Sequence, residues 1–179
     1  MLVLIALNLA FLGSDAQTTV PVPEYPKEYR WNTTEEYQAS EKDIEKCLKW
    51  LCNTPYGIEM VARSEMNAYV LTWIAGCPYL EVNLDTKHFP FLQEDEDLLF
   101  SMIHGMALYQ LKHMNKEDLE KIYLAGLEVV ADLVAQSESK SKEKYTKDLL
   151  KAHRKGKMKE YVKELLNGKN ESVTEHWFG

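Results

Sequence analysis

The chain has 179 residues, 45% of them hydrophobic and 27% charged, which excludes compositional disorder and suits one globular domain that buries a core without disulfide staples. The formal charge of −7 is unevenly laid out: residues 1–136 hold 10 Lys+Arg against 21 Asp+Glu, a balance of −11, and 137–179 hold 11 against 7, a balance of +4. The basic part carries Glu143, Asp148, Glu160 and Glu164 at helical intervals and, between Lys140 and Lys163, only Tyr145 and Tyr161 as aromatics, so it reads first as a face paired to the acidic body, with anion binding or an anionic membrane surface as alternatives; a nucleic-acid partner is not expected.

The apolar run at residues 2–12, followed by Gly13, Ser14, Asp15 and Ala16, reads as a secretory signal at 1–16 cleaved before Gln17. It is too short for a membrane span, which takes about 20 apolar residues. No cysteine stands at the cleavage point to take a lipid, so no stable membrane anchor is expected after cleavage. No Lys or Arg precedes Lys27, which leaves a displaced start codon or a retained anchor as alternatives. The expected location is exported, periplasmic or extracellular.

Residues 17–34 read as an extended arm, since Pro21, Pro23 and Pro26 fix φ and remove donors between Tyr25, Tyr29 and Trp31. These rings suit stacking on sugars in a glycan binder, though such an arm more often covers its own domain. The helical domain is expected over 35–167. Thr33 and Thr34 ahead of Glu35 and Glu36 predict a capped helix to residue 53 with Ile44, Cys47, Leu48 and Leu51 inward. After the turn Asn53-Thr54-Pro55-Tyr56-Gly57, a second helix is expected over 58–76. Its stretch 68–75 is apolar nearly all round, which places it at the centre.

Leu80, Val82 and Leu84 alternate with Glu81 and Asn83, a strand pattern with no clear mate in the chain. It reads first as a packed extended connector, with pairing to residues 18–22 or an edge offered to a protein partner as alternatives. The carboxylates Glu94, Asp95, Glu96 and Asp97 suit the positive end of a helix running to about residue 113, and lack the alternating ligands of an EF-hand. A fourth helix is expected over 116–136, with Gly105 and Gly126 allowing two helices to cross closely. A polar helix around Leu149 and Leu150 and a short amphipathic one with Met158, Tyr161, Val162 and Leu165 follow; residues 168–179 are expected to be loose.

The fold class is thus all-α: a single-domain bundle of about five or six helices with one short extended segment. The chemistry-bearing residues are sparse. Cys47 and Cys52 lie five apart, out of disulfide reach in a continuous helix, so they and Cys77 read as buried thiols, with a Cys47–Cys52 bridge formed only if the helix frays. His88, His104, His113, His153 and His176 show no zinc spacing. Asp97, Ser101 and His104 share one helix face at i, i+4 and i+7, but a mid-helix serine has no oxyanion hole; a packing serine and a surface or partly satisfied histidine are expected. Glu59, Glu65 and Glu128 have apolar neighbours and merit attention only if buried. Asn32 and Asn170 head N-glycosylation triplets, which also arise often by chance.

The stretch AYVLTWIAGCPYLEVNL at 68–84, with AHRKGKMKEYVKELL at 152–166, resembles a group of small exported helical proteins from Bacteroidota with no assigned activity. The shared features are packing motifs: a tryptophan-bearing helix leading into a short strand, and a basic turn before the last helix. The resemblance implies no catalytic, cofactor-binding or metal-ligating residue. The expected function is a non-catalytic binding or protein-interaction module, its possible partner meeting the Leu80, Val82, Leu84 segment. The alternative is a small hydrolase or transferase of the cell envelope using carboxylates that the fold brings together.

Overall fold

The computed structural model describes residues 21–84, 89–114 and 118–167. The expected signal segment and cleavage site, residues 18–20, His88, His176, the Asn170 triplet and the tail lie outside the described residues. The described residues form an all-α bundle of six helices: α1 (Thr34–Asn53), α2 (Met60–Gly76), α3 (Glu96–His113), α4 (Leu119–Ala135), α5 (Lys147–Arg154) and α6 (Met158–Leu166). Short 3-10 turns at Pro90–Gln93, Lys140–Lys142 and Lys144–Thr146 connect them.

Local chemistry sets the boundaries. Thr33 accepts the Glu36 N–H and the Glu36 carboxylate accepts the Thr33 N–H, a capping box that starts α1. Asp95 and Asp118 each accept a backbone N–H of the helix that follows, from Asp97 and Lys121, so the acidic residues do serve a helix N-terminus. The helix expected from residue 116 begins at Leu119, capped by Asp118. Helix α2 begins two residues later than its periodicity suggests, because Glu59 adopts a left-handed conformation with φ of 47°.

The core has two lobes that share α3. Leu98, Met102 and Met106 join Leu127, Val130 and Val134 of α4 and Leu149, Val162 and Leu165 of the last two helices. On the other side Ala107 joins Ile44, Leu48 and Leu51 of α1 and Met66, Val70 and Trp73 of α2. The centre is therefore α3 packed on α4, and α2 leans chiefly on α1. This corrects the expectation that α2 is central: Ala68, Thr72 and Ala75 are exposed, because an apolar helix with small residues on its outer side needs only one covered face.

The proline-bearing arm lies along its own domain. Tyr25 stacks on Tyr69 at 5.9 Å, Tyr29 meets the same ring edge-on at 4.9 Å, and Trp31 sits 5.5 Å from it. Lys27 ties the arm to Glu65 of α2 at 2.5 Å. The three cysteines are free and buried. Burial pushes the Cys47 thiol up to about 11 and that of Cys52 to about 12, so both are packing groups at neutral pH.

The turn between α5 and α6 is a Schellman closure. Gly156 has φ of 65°, its N–H bonds to the His153 carbonyl, and the Lys157 N–H reaches the Ala152 carbonyl at 2.9 Å. Nothing lies within 4 Å of a Cβ built on Gly156, so Gly156→Ala meets only the backbone penalty. A loss of about 1 kcal/mol in chemical denaturation is expected; an unchanged midpoint would show that the turn gives way freely.

Candidate functional site

The constellation expected on α3 does assemble on one side of the helix, but its members turn to different partners. The Ser101 hydroxyl lies 2.9 Å from the Tyr56 hydroxyl, which comes from the α1–α2 loop. Asp97 pairs with Lys140 at 3.0 Å, and Asp95 with the same ammonium at 2.5 Å. Burial alone would lower the Lys140 pKa, yet the two carboxylates outweigh it and hold the ammonium above its usual range. The same ammonium sits 4.8 Å above the Tyr56 ring.

His104 corrects the expectation of a surface or partly satisfied imidazole. It is 1% exposed, neither ring nitrogen has a hydrogen-bond partner, and burial, aided by the Arg63 charge, pushes its pKa down to about 3. It is a neutral packing group under ordinary conditions. A serine committed to a tyrosine and a histidine bonded to nothing do not make a nucleophile and base.

Residues that the periodicity did not single out organise this region. Arg63 of α2 is 8% exposed and donates to the carbonyls of Leu51, Thr54 and Pro55, closing the C-terminal end of α1. Its guanidinium lies 5.5 Å from the Trp50 ring and 5.8 Å from that of Tyr56. Its sequence signal is that it is the one cation of α2, set between Met60-Val61-Ala62 and Ser64-Glu65.

Gln110 explains the strand pattern without a mate. Its amide oxygen accepts the Glu81 N–H at 3.2 Å and its amide nitrogen donates to the Glu81 carbonyl at 2.7 Å, as a neighbouring strand would. Tyr123 adds a bond to the Asn83 carbonyl at 3.0 Å. Residues 79–84 are the expected packed connector, with no strand assigned among the described residues. Leu80 is buried while Val82 and Leu84 are half-buried against the core, so the side chains expected to meet a partner are turned inward. A dimple of about 120 Å3 lies beside Leu80, lined also by Tyr79, Gln110, Leu111 and Met114.

No described carboxylate is buried, and Glu59, Glu65 and Glu128 are all exposed. Among the described residues no group of three or more His, Cys, Asp or Glu is placed to hold a metal ion, and no helix is long and apolar enough to cross a membrane.

A groove runs between the arm and the start of α2. It encloses about 650 Å3 and is lined by Val22, Pro23, Tyr25, Val61 and Ala62 with Glu24, Lys27, Glu59 and Glu65 at its rim. Met60 and Val61 beside it are 70% and 75% exposed. No protein-family model matches this chain, and no curated protein or solved structure matches it. The functional reading therefore rests on this geometry. A second groove, of about 420 Å3, holds Tyr29, Trp31 and Tyr69 together with Glu36 and Asp43. Tyr29 and Trp31 stack on each other at 5.3 Å, so their faces are largely engaged within the chain rather than free for a sugar.

Proposed function

We propose that this is an exported, non-catalytic protein-interaction module, akin to the small helical Bacteroidota proteins that its α2 region and basic turn resemble. The observation that carries the reading is the exposure of Met60 and Val61 on the first turn of α2, next to an apolar groove. Glu59 holds a positive φ at this point, a conformation that costs a non-glycine residue about 1 kcal/mol or more.

Charge selects the partner. Glu24, Glu59 and Glu65 against Lys27 leave the rim negative, and Glu65 already holds Lys27. The fitting occupant is an apolar segment of another protein flanked by Lys or Arg, its apolar side chains entering between Tyr25 and Val61. A carboxylate-based hydrolase finds no support, since every described carboxylate is at least partly solvated.

Met60→Ser with Val61→Ser keeps α2 intact, because both side chains project into solvent. In affinity capture from the native compartment, the double variant is expected to lose a partner that wild type retains, while its thermal midpoint stays within a degree or two. Capture of the same proteins by both forms would overturn the assignment of this groove. Turnover of a glycan or peptide library by the wild type would overturn the non-catalytic reading.

A further inference from the structure

The basic part of the chain is only partly paired to the body. Lys140 pairs with Asp95 and Asp97, His153 with Asp132 at 3.0 Å, and Lys163 with Glu120 at 3.5 Å. Residues 144–159 hold seven cations and one carboxylate, Asp148. Of these, Lys144, Lys147, Arg154, Lys155 and Lys159 are exposed and form no ion pair, although Glu143, Asp148 and Glu160 are near in sequence. Lys147, Lys151 and Arg154 follow at i, i+4 and i+7, so they share one stripe of α5, and the closed turn at Gly156 carries Lys155 and Lys157 on from its end.

We propose that this stripe and turn form a docking surface for an anionic lipid bilayer. This goes beyond the groove on α2 and does not depend on it: α5 and α6 pack on α4, and none of the grooves described above includes these cations. The apolar face of α5 and α6, with Leu149, Leu150, Ala152 and Met158, is used up in the core. Attachment is therefore electrostatic, without the apolar insertion that holds an amphipathic helix in a membrane.

Three observations favour a lipid surface over a nucleic acid. Six of the seven cations are lysines, flexible point charges suited to a diffuse field of headgroups, where nucleic-acid readout favours the bidentate fork of arginine. The aromatic residue among them, Tyr145, is half-buried against the core and offers no free face for a base. The remaining chain is acidic, so a flat anionic sheet attracts this end and repels the body, which orients the molecule within a Debye length of about 10 Å.

The test is co-sedimentation of the full 179-residue chain with vesicles of two parts phosphatidylcholine to one part phosphatidylglycerol, against vesicles of phosphatidylcholine alone. The comparison variant is Lys147→Gln, Arg154→Gln, Lys155→Gln and Lys159→Gln together, all exposed positions whose change leaves the helical circular dichroism and thermal midpoint unaltered. Wild type is expected to bind the anionic vesicles at ~0.05 M salt, to leave them at ~0.5 M, and to ignore the neutral ones. The variant is expected to bind on the order of 100-fold more weakly. Failure to bind anionic vesicles at low salt, equal binding by the variant, or binding to DNA or to a second copy of the chain in place of vesicles would each overturn the proposal. Loss of vesicle binding with partner capture through Met60 and Val61 retained separates this surface from the groove.

Discussion

Gly105→Ala is expected to destabilise the fold by about 2 kcal/mol, against the gain of about 1 kcal/mol that alanine brings to an ordinary helix position. A Cβ on Gly105 would stand 2.8 Å from the Ala125 carbonyl oxygen and 2.8 Å from the Gly126 Cα, both backbone atoms of α4 that no rotamer change moves aside. Gly126→Ala meets the same crossing from the other side, 2.6 Å from the Met102 sulfur and 2.9 Å from the Met102 carbonyl. The methionine can swing away and the carbonyl cannot, so this variant is expected to lose slightly less. The two glycines touch, so the double variant should lose less than the two single losses added. Urea midpoints measure all three. A rise in stability for Gly105→Ala would mean that α3 and α4 are not in close contact there.

His104 sets the second large effect, and its direction follows from proton linkage. Its folded pKa is about 3, below the ordinary value of 6.5, so as pH falls the unfolded chain takes up the proton first. The contribution to stability is whole above pH 6.5 and falls by up to about 1.4 kcal/mol per pH unit towards pH 3, below which both states are protonated and nothing more is lost. His104→Leu should remove this slope. At pH 7.5 it should be neutral or stabilising by roughly 1 kcal/mol, because two ring nitrogens without partners are replaced by apolar atoms. Surface carboxylates titrate in both chains, so the difference between their denaturation midpoints over this window isolates the imidazole. Identical slopes for the two proteins would contradict the burial of His104.

The bundle was legible because its signals are local. Capping residues, the carboxylates ahead of α3, the turn at residues 53–57 and the paired glycines each act within a few residues or through an obvious packing need. Two things were hidden because they depend on distant residues. Apolar periodicity alone could not tell that α2 lies on the flank, since its small outer side chains are tolerated in solvent as easily as in a core. The strand pattern at 79–84 was read correctly as a connector, yet its partner is a glutamine side chain on α3, for which a sequence carries no period.

The site was less legible still. Asp97, Ser101 and His104 share one helix face as their spacing implies, but the burial of His104 depends on the elements packed on α3, a tertiary fact. The groove beside Met60 escaped notice because its two sides, the arm at 22–27 and α2 at 59–65, are more than thirty residues apart. Its apolar pair, Met60 and Val61, is exposed on the turn that follows Glu59, whose positive φ no residue preference announces.

Site-specific photo-crosslinking from position 61, in the native cells, tests the interaction reading most directly. Val61 is 75% exposed, so a photoreactive side chain there replaces no core contact. The expected result is a discrete crosslinked protein whose modified peptide is apolar with Lys or Arg on its flanks, absent when the crosslinker is moved to the exposed Glu128 on α4. Crosslinks that scatter over many proteins, or that form equally from position 128, would contradict a docking surface at the start of α2.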